Sequence, residues 1–122
     1  MRATVEKAIS FDAAHFLPDY AGKCSNMHGH HWVVKLGVEG EIDNSSGMVI
    51  DFTILGKFLK EVEDVFDHHL VNNIVDNPTA ENIAIYIRNM YLGRDIDLGS
   101  RRGLKYIRVW ETEDSMAEVG RE

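Results

Sequence analysis

A single cysteine, Cys24, cannot close an intrachain disulfide, so the chain lacks the covalent framework on which many small secreted domains rely. Two prolines, Pro18 and Pro78, are too few for a rigid proline-rich spacer, and no segment repeats or falls into low complexity. No apolar run approaches the roughly 18 residues of a membrane span. The opening residues, Met1-Arg2-Ala3-Thr4-Val5-Glu6-Lys7, run straight into alternating sequence, so no secretory leader is expected. Positive charge is also scarce. The 13 Lys and Arg against 20 Asp and Glu leave a net charge of −7, which argues against nucleic acid as the main partner. A small anionic ligand stays open, because local charge can oppose the global sign. The free thiol and five methionines fit a reducing, cytoplasmic setting. The 122 residues suit one domain, 1–122, with 44% hydrophobic content. A core of that size is adequate without being generous, so burial between subunits would help.

The stretch Cys24-Ser25-Asn26-Met27-His28-Gly29-His30 carries the most chemistry. Residues two apart in a strand share a face, so His28 and His30 can reach one metal ion. A catalytic zinc usually takes three protein ligands and keeps a fourth position open. The third candidate is His15, after Phe11-Asp12-Ala13-Ala14. Residues 3 to 16 read as a strand in which Val5, Ile9, Phe11, Ala13 and His15 share a parity that Lys7 interrupts. His15 is then either the end of an inward face or an ordinary loop histidine. The second strand runs from His28 to about Glu41. His28, His30, Trp32, Val34, Leu36 and Val38 line one face, and His31, Lys35 and Glu39 the other. The two candidate ligands therefore extend the apolar face, where metal ligands are shielded from water.

Asp43-Asn44-Ser45-Ser46-Gly47 has the composition of a turn, and Asp51 or Thr53 can cap a helix. Leu55, Phe58, Leu59, Val62, Val65 and Phe66 recur at helical spacing and give that helix one packed face. At its end stands Asp67-His68-His69. A carboxylate next to an imidazole can orient a proton relay; equally, histidines suit a helix C-terminus because of the dipole. Thr79 caps a second helix, with Glu81 in its first turn and Ile83, Ala84, Ile87 and Met90 as its stripe, ending at Gly93. Residues 94 to 103 are polar and read as a loop, followed by strands over 104–112 and 115–119. Glu111 has the parity of Ile107 and Val109, so its carboxylate either anchors a ligand or reaches water at a strand end.

Taken together, these motifs resemble the 6-pyruvoyltetrahydropterin synthase / 6-carboxytetrahydropterin synthase family. The matching residues are His15 after Phe11-Asp12-Ala13-Ala14, Cys24 with His28-Gly29-His30, Gly47 to Phe52, Asp67-His68, Pro78-Thr79-Ala80-Glu81-Asn82, and Trp110-Glu111-Thr112. The resemblance implies an α+β tunnelling fold of order ββααββ, an antiparallel four-stranded sheet with two helices on one face. Barrel closure is implied on oligomerisation, typically into a hexamer built as a dimer of trimers with active sites at subunit boundaries. It implies Zn2+ on His15, His28 and His30, Cys24 as proton acceptor, Asp67 and His68 as relay, Glu111 as anchor of a pterin substrate, and Thr79 near that substrate. His31-Trp32 departs from the family's common Asn-Tyr. The three residues between Cys24 and His28 resemble the carboxy-forming branch of the deazapurine (queuosine, archaeosine) route. Its reaction takes 7,8-dihydroneopterin triphosphate to 6-carboxy-5,6,7,8-tetrahydropterin, acetaldehyde and triphosphate. The pyruvoyl synthase and a non-catalytic protein with a closed Cys24–His15–His28–His30 zinc are the alternatives. Lys23, Arg101 and Arg102 are available for the triphosphate.

Overall fold

The computed structural model describes residues 1–122. Strand β1 spans Arg2–His15 and β2 spans His28–Glu41. Helix α1 covers Phe52–Phe66, α2 covers Ala80–Leu92, and strands β3 (Arg102–Thr112) and β4 (Ser115–Val119) close the chain. All strand pairs are antiparallel, in the order β1-β2-β3-β4. The ββααββ order implied by the resemblance is therefore the observed one.

Alternation sets which face is covered. Phe11 and Ala13 of β1, Trp32, Val34, Leu36 and Val38 of β2, and Leu104, Ile107 and Val109 of β3 all join one core. Leu55, Phe58, Leu59, Val62 and Phe66 of α1 and Ile83, Ala84, Ile87 and Tyr91 of α2 fill it from the same side. Burial on this scale contributes about 1.5–3 kcal/mol per large apolar side chain, before chain entropy is subtracted. Lys7, which breaks the inward pattern of β1, lays its stem against Gly56 and its ammonium over the Phe52 ring, 5.9 Å from the centroid. The missing side chain at Gly56 leaves room for that stem.

Caps mark both helix starts. Asp51, rather than Thr53, caps α1, accepting from the Thr53 N–H at 2.8 Å. Thr79 caps α2, its hydroxyl accepting from the Asn82 N–H at 3.1 Å. One boundary differs from expectation. Strand β3 begins at Arg102, two residues inside the stretch read as a loop. Polarity there suggested a loop, but Arg102 and Gly103 pair with Gly40 and Glu39 after a register shift at Gly37/Val38. The backbones approach closely enough that a side chain at Gly40 would meet the Arg101 carbonyl oxygen at 2.6 Å. No helix is long and apolar enough to cross a membrane.

Candidate metal centre and its surroundings

Strand register builds the centre. His15 lies directly opposite His28 across the β1–β2 ladder, and His30 lies opposite the small Ala13. All three therefore project from one face at the end of the hairpin, at cross-strand and diagonal distances that side chains can bridge. Their ring centroids are 4.5 Å (His15–His28), 4.8 Å (His28–His30) and 5.3 Å (His15–His30) apart. Trp32, fully buried, forms the floor, its ring edge-on to His15 and His30 and its indole N–H donating to the Ala13 carbonyl at 3.2 Å.

Backbone carbonyls set the imidazole orientation. His15 Nδ1 donates to the Pro78 carbonyl at 2.8 Å, just ahead of the α2 cap, and His28 Nδ1 donates to the Asn26 carbonyl at 2.7 Å. A proton on Nδ1 leaves Nε2 as a lone pair, the metal-binding tautomer. Burial first pulls His30 below its ordinary 6.5; the Glu111 carboxylate opposes this, while His15 and His28 add to it. An unprotonated imidazole is the form a metal requires.

Glu111 completes the cluster. Its Oε1 stands 2.9 Å from His15 Nε2 and 3.3 Å from His30 Nε2. His15 is only 1% exposed, and its Nε2 has no hydrogen-bond partner despite the nearby carboxylate, because the contact is not aligned for one. A lone pair facing a carboxylate oxygen in a buried site is repulsive unless a cation sits between them. One donor atom from each of His15, His28, His30 and Glu111 lies within 4.8 Å of all the others. The chain thus carries a group that can hold a metal ion. Its fourth donor is Glu111 and not Cys24, so the closed set with the thiol considered from sequence is not the one assembled. Glu111 does not simply reach water at a strand end, because its carboxylate lies among the imidazoles.

The other expected residues lie outside this cluster. Cys24 is a half-buried free thiol in a short turn over Lys23–Ser25. Asp67 ends α1, and His68 follows with φ 58°, in the left-handed region. That turn lets the chain run along the outer edge of β1: Asp67 Oδ1 accepts from the Asp12 N–H at 3.0 Å, and the His68 N–H donates to the Asp12 carbonyl at 2.7 Å. His68 Nδ1 meets Asp67 Oδ2 at 2.9 Å, which raises the imidazole above 6.5 through the hydrogen bond and the charge of Asp67. The Asp12 N–H, then His68, hold the Asp67 carboxyl below its ordinary 3.8. His68 points to solvent at 80% side-chain exposure, yet it shares with His30 the lining of a cavity of about 600 Å³. Within the chain, Asp67-His68 is a formed pair and Cys24 is not hydrogen-bonded to it.

His31, set aside by parity, hydrogen-bonds Asp12 through Nδ1 at 2.8 Å, and His69 bonds the Asp67 carbonyl at 2.7 Å. Thr79 serves as cap, and its neighbour Pro78 holds His15. Sequence reasoning missed Pro78 and Asn26 because a carbonyl acts regardless of its side chain. Of the three basic candidates, Arg102 pairs with Gly40, while the histidines stand at His28. Twelve residues of strand separate them, roughly 40 Å. Arg101 borders a cavity with Glu41, Asp43 and Asp51 at that same far end. Only Lys23, beside Cys24, stays on the histidine side of the chain.

Comparison with known proteins agrees with this geometry. The profile of the 6-pyruvoyl tetrahydropterin synthase family matches residues 4–122. A putative 6-carboxy-5,6,7,8-tetrahydropterin synthase of Archaeoglobus fulgidus is 36% identical over 114 residues, covering 93% of this chain and 92% of the relative. A dihydroneopterin monophosphate aldolase of Pyrococcus furiosus is 35% identical over 119 residues, 98% of each chain. The solved 6-pyruvoyl tetrahydropterin synthase of Caenorhabditis elegans superposes with a TM-score of 0.88 at 30% identity, covering 98% of this chain and 96% of that one.

Proposed function

We propose, from the premise that this chain belongs to the 6-pyruvoyl tetrahydropterin synthase family, that it is a zinc-dependent lyase acting on 7,8-dihydroneopterin triphosphate. With one water consumed, the products are 6-carboxy-5,6,7,8-tetrahydropterin, acetaldehyde and triphosphate, a step of deazapurine (queuosine-type) synthesis. The observation that carries the reading is the buried, unpartnered Nε2 of His15, aimed with His28 and His30 at one point. In this reading His15, His28 and His30 hold the zinc. A bound zinc supplies Lewis-acid stabilisation of negative charge developing on substrate side-chain oxygens.

The chain's own groups do the rest. Cys24 takes a proton from carbon as thiolate. His68, oriented by Asp67, handles the second proton, its imidazole held above its ordinary value by the Asp67 hydrogen bond and charge. Glu111 accepts two parallel hydrogen bonds from the guanidine-like edge of the pterin and so positions the side chain at the histidines. Of Lys23, Arg101 and Arg102, Lys23 is the one this reading assigns to the triphosphate.

Assembly belongs to the same proposal, with 1–122 as one domain of a cytoplasmic hexamer, a dimer of trimers. Strand β4 and the part of β1 before Asp12 leave open edges, and open edges call for covering. Met48, Phe52 and Met116 are exposed apolar side chains that subunit contact would bury. The solvent-facing His68 and the separate Cys24 fit a site completed by a second copy. The Pyrococcus furiosus relative favours a second reading, an aldolase acting on a monophosphate substrate. Mass spectrometry after incubation with zinc and each substrate decides between them. Acetaldehyde stoichiometric with the carboxylated pterin is expected from the triphosphate. A pyruvoyl product that retains all side-chain carbons would assign the sister synthase instead, and turnover of the monophosphate alone would assign the aldolase.

A further inference from the structure

We infer that Glu111 is a detachable fourth metal ligand, which closes the centre in the substrate-free protein and leaves it when a pterin binds. The inference rests on the metal and pterin reading above and concerns how access to the metal is controlled.

Three observations carry it. The first is spacing. In a tetrahedral site with metal–nitrogen and metal–oxygen bonds of about 2.0–2.2 Å, neighbouring donor atoms stand roughly 3.3–3.5 Å apart. Glu111 Oε1 lies 3.3 Å from His30 Nε2 and 2.9 Å from His15 Nε2. Neither contact is aligned as a hydrogen bond, and His15 Nε2 has no other partner. The His30 contact matches that spacing and the His15 contact is shorter than it. Neither is made as a hydrogen bond, so the carboxylate stands among the imidazole lone pairs where a cation would join them.

The second is the backbone that delivers the carboxylate. The β3–β4 ladder pairs Trp110 with Met116 and Thr112 with Ser115, with a register shift between Trp110 and Thr112. Glu111 is the residue left over at that bulge. Bulges re-aim side chains, and this one frees Glu111 from a cross-strand neighbour on β4.

The third is where the carboxylate can go. Glu111 is 30% exposed and lines two cavities. One, of about 600 Å³, also borders His30 and Trp110; the other, of about 370 Å³, borders Ala80, Glu81 and Met116. Rotation of the side chain carries the carboxylate from the histidines toward open space without moving the strand.

The coupling then follows from valence geometry. A carboxylate that gives both oxygens to the guanidine-like edge of a pterin cannot also keep Oε1 among three imidazole nitrogens. Pterin binding and fourth-ligand closure therefore exclude one another at Glu111. Without ligand the site is closed to stray anions; with ligand, one coordination position opens where the substrate side chain arrives.

The test uses the full-length protein loaded with Co2+, whose visible absorption reports coordination, and unsubstituted pterin, which has the recognition edge and no side-chain oxygens. Glu111→Gln and Glu111→Ala should alter the substrate-free spectrum. They should also weaken metal affinity by at least about 10-fold, since loss of outer-shell partners alone costs about 10–100-fold. Added pterin should move the wild-type spectrum toward that of the Glu111→Ala protein and leave the variant unmoved. Identical spectra and affinities in wild type and both variants would overturn the inference while the three-histidine site stands. A wild-type spectrum indifferent to pterin, with altered variants, would overturn the detachment. Failure of wild type to bind Co2+, judged beside His28→Ala, would instead bring down the metal reading itself.

Discussion

The histidine cluster and the Cys24/Asp67-His68 groups make an instructive pair. The cluster is over-determined within one chain. His15 and His28 face each other across a ladder, two carbonyls orient their rings, and Trp32 seals the floor. The groups proposed to handle protons are each held locally but not brought together. Asp67-His68 is clipped to the edge of β1 and faces water, while Cys24 sits in a separate turn. The difference teaches that one chain brings together the metal-binding half of the proposed site, whereas the groups proposed for proton transfer, its other half, stay apart within the chain; in the proposed reading a second copy or bound substrate completes them.

The largest expected effect breaks the finished half. His15→Ala should abolish stoichiometric metal binding, because it removes the buried donor around which the others converge. Metal analysis of the purified variant checks this, and full zinc occupancy would remove His15 from the site. The next largest touches only the unfinished half. Cys24→Ala should retain metal and fold but lose about 10²–10⁴ in turnover, the usual cost of a missing base. Dilution should act on that same half: sedimentation with parallel assays should show activity falling as oligomers dissociate, with metal retained. An active monomer would contradict the comparison.

A smaller effect tests what supports the cluster. Thr79→Ala removes the α2 cap and should cost about 0.5–2 kcal/mol in denaturant unfolding. It should also slightly weaken metal binding, since Pro78, which orients His15, immediately precedes the cap. Unchanged stability would mean the cap is replaced by water.

The smallest effect is electrostatic. Asp67 holds the His68 imidazole above its ordinary 6.5, so the His68 side of the pair contributes fully below 6.5 and fades as pH rises through the raised value. For Asp67 the sign reverses: its contribution is present above 3.8 and fades as pH falls through the depressed value. The ion pair therefore exists between those two limits. In Asp67→Asn, the NMR titration midpoint of His68 should drop toward 6.5. An unmoved midpoint would detach the pair from the proposed relay.

Much of this was present in local pattern. Alternation placed His28 and His30 on the apolar face, helical spacing outlined α1 and α2, and Thr79 was legible as a cap because capping is a contact between near neighbours. The polar stretch before Leu104 misled, since pairing of Arg102 with Gly40 depends on a partner 62 positions away. Lys7 looked like a break in β1 and turned out to lie over Phe52, again a contact no local pattern announces.

By itself, then, the sequence determined the order of elements, the parity of each strand, and which residue types could bind a metal or move a proton. Those properties follow from periodicities of two and 3.6, which are carried by neighbours along the chain. Tertiary structure alone decided that Glu111 joins the three histidines, that the Pro78 carbonyl turns His15, and that Arg101 and Arg102 lie at the far end of the sheet. Each of these depends on registers and a bulge between distant strands, where a shift of one residue would turn every side chain to the opposite face.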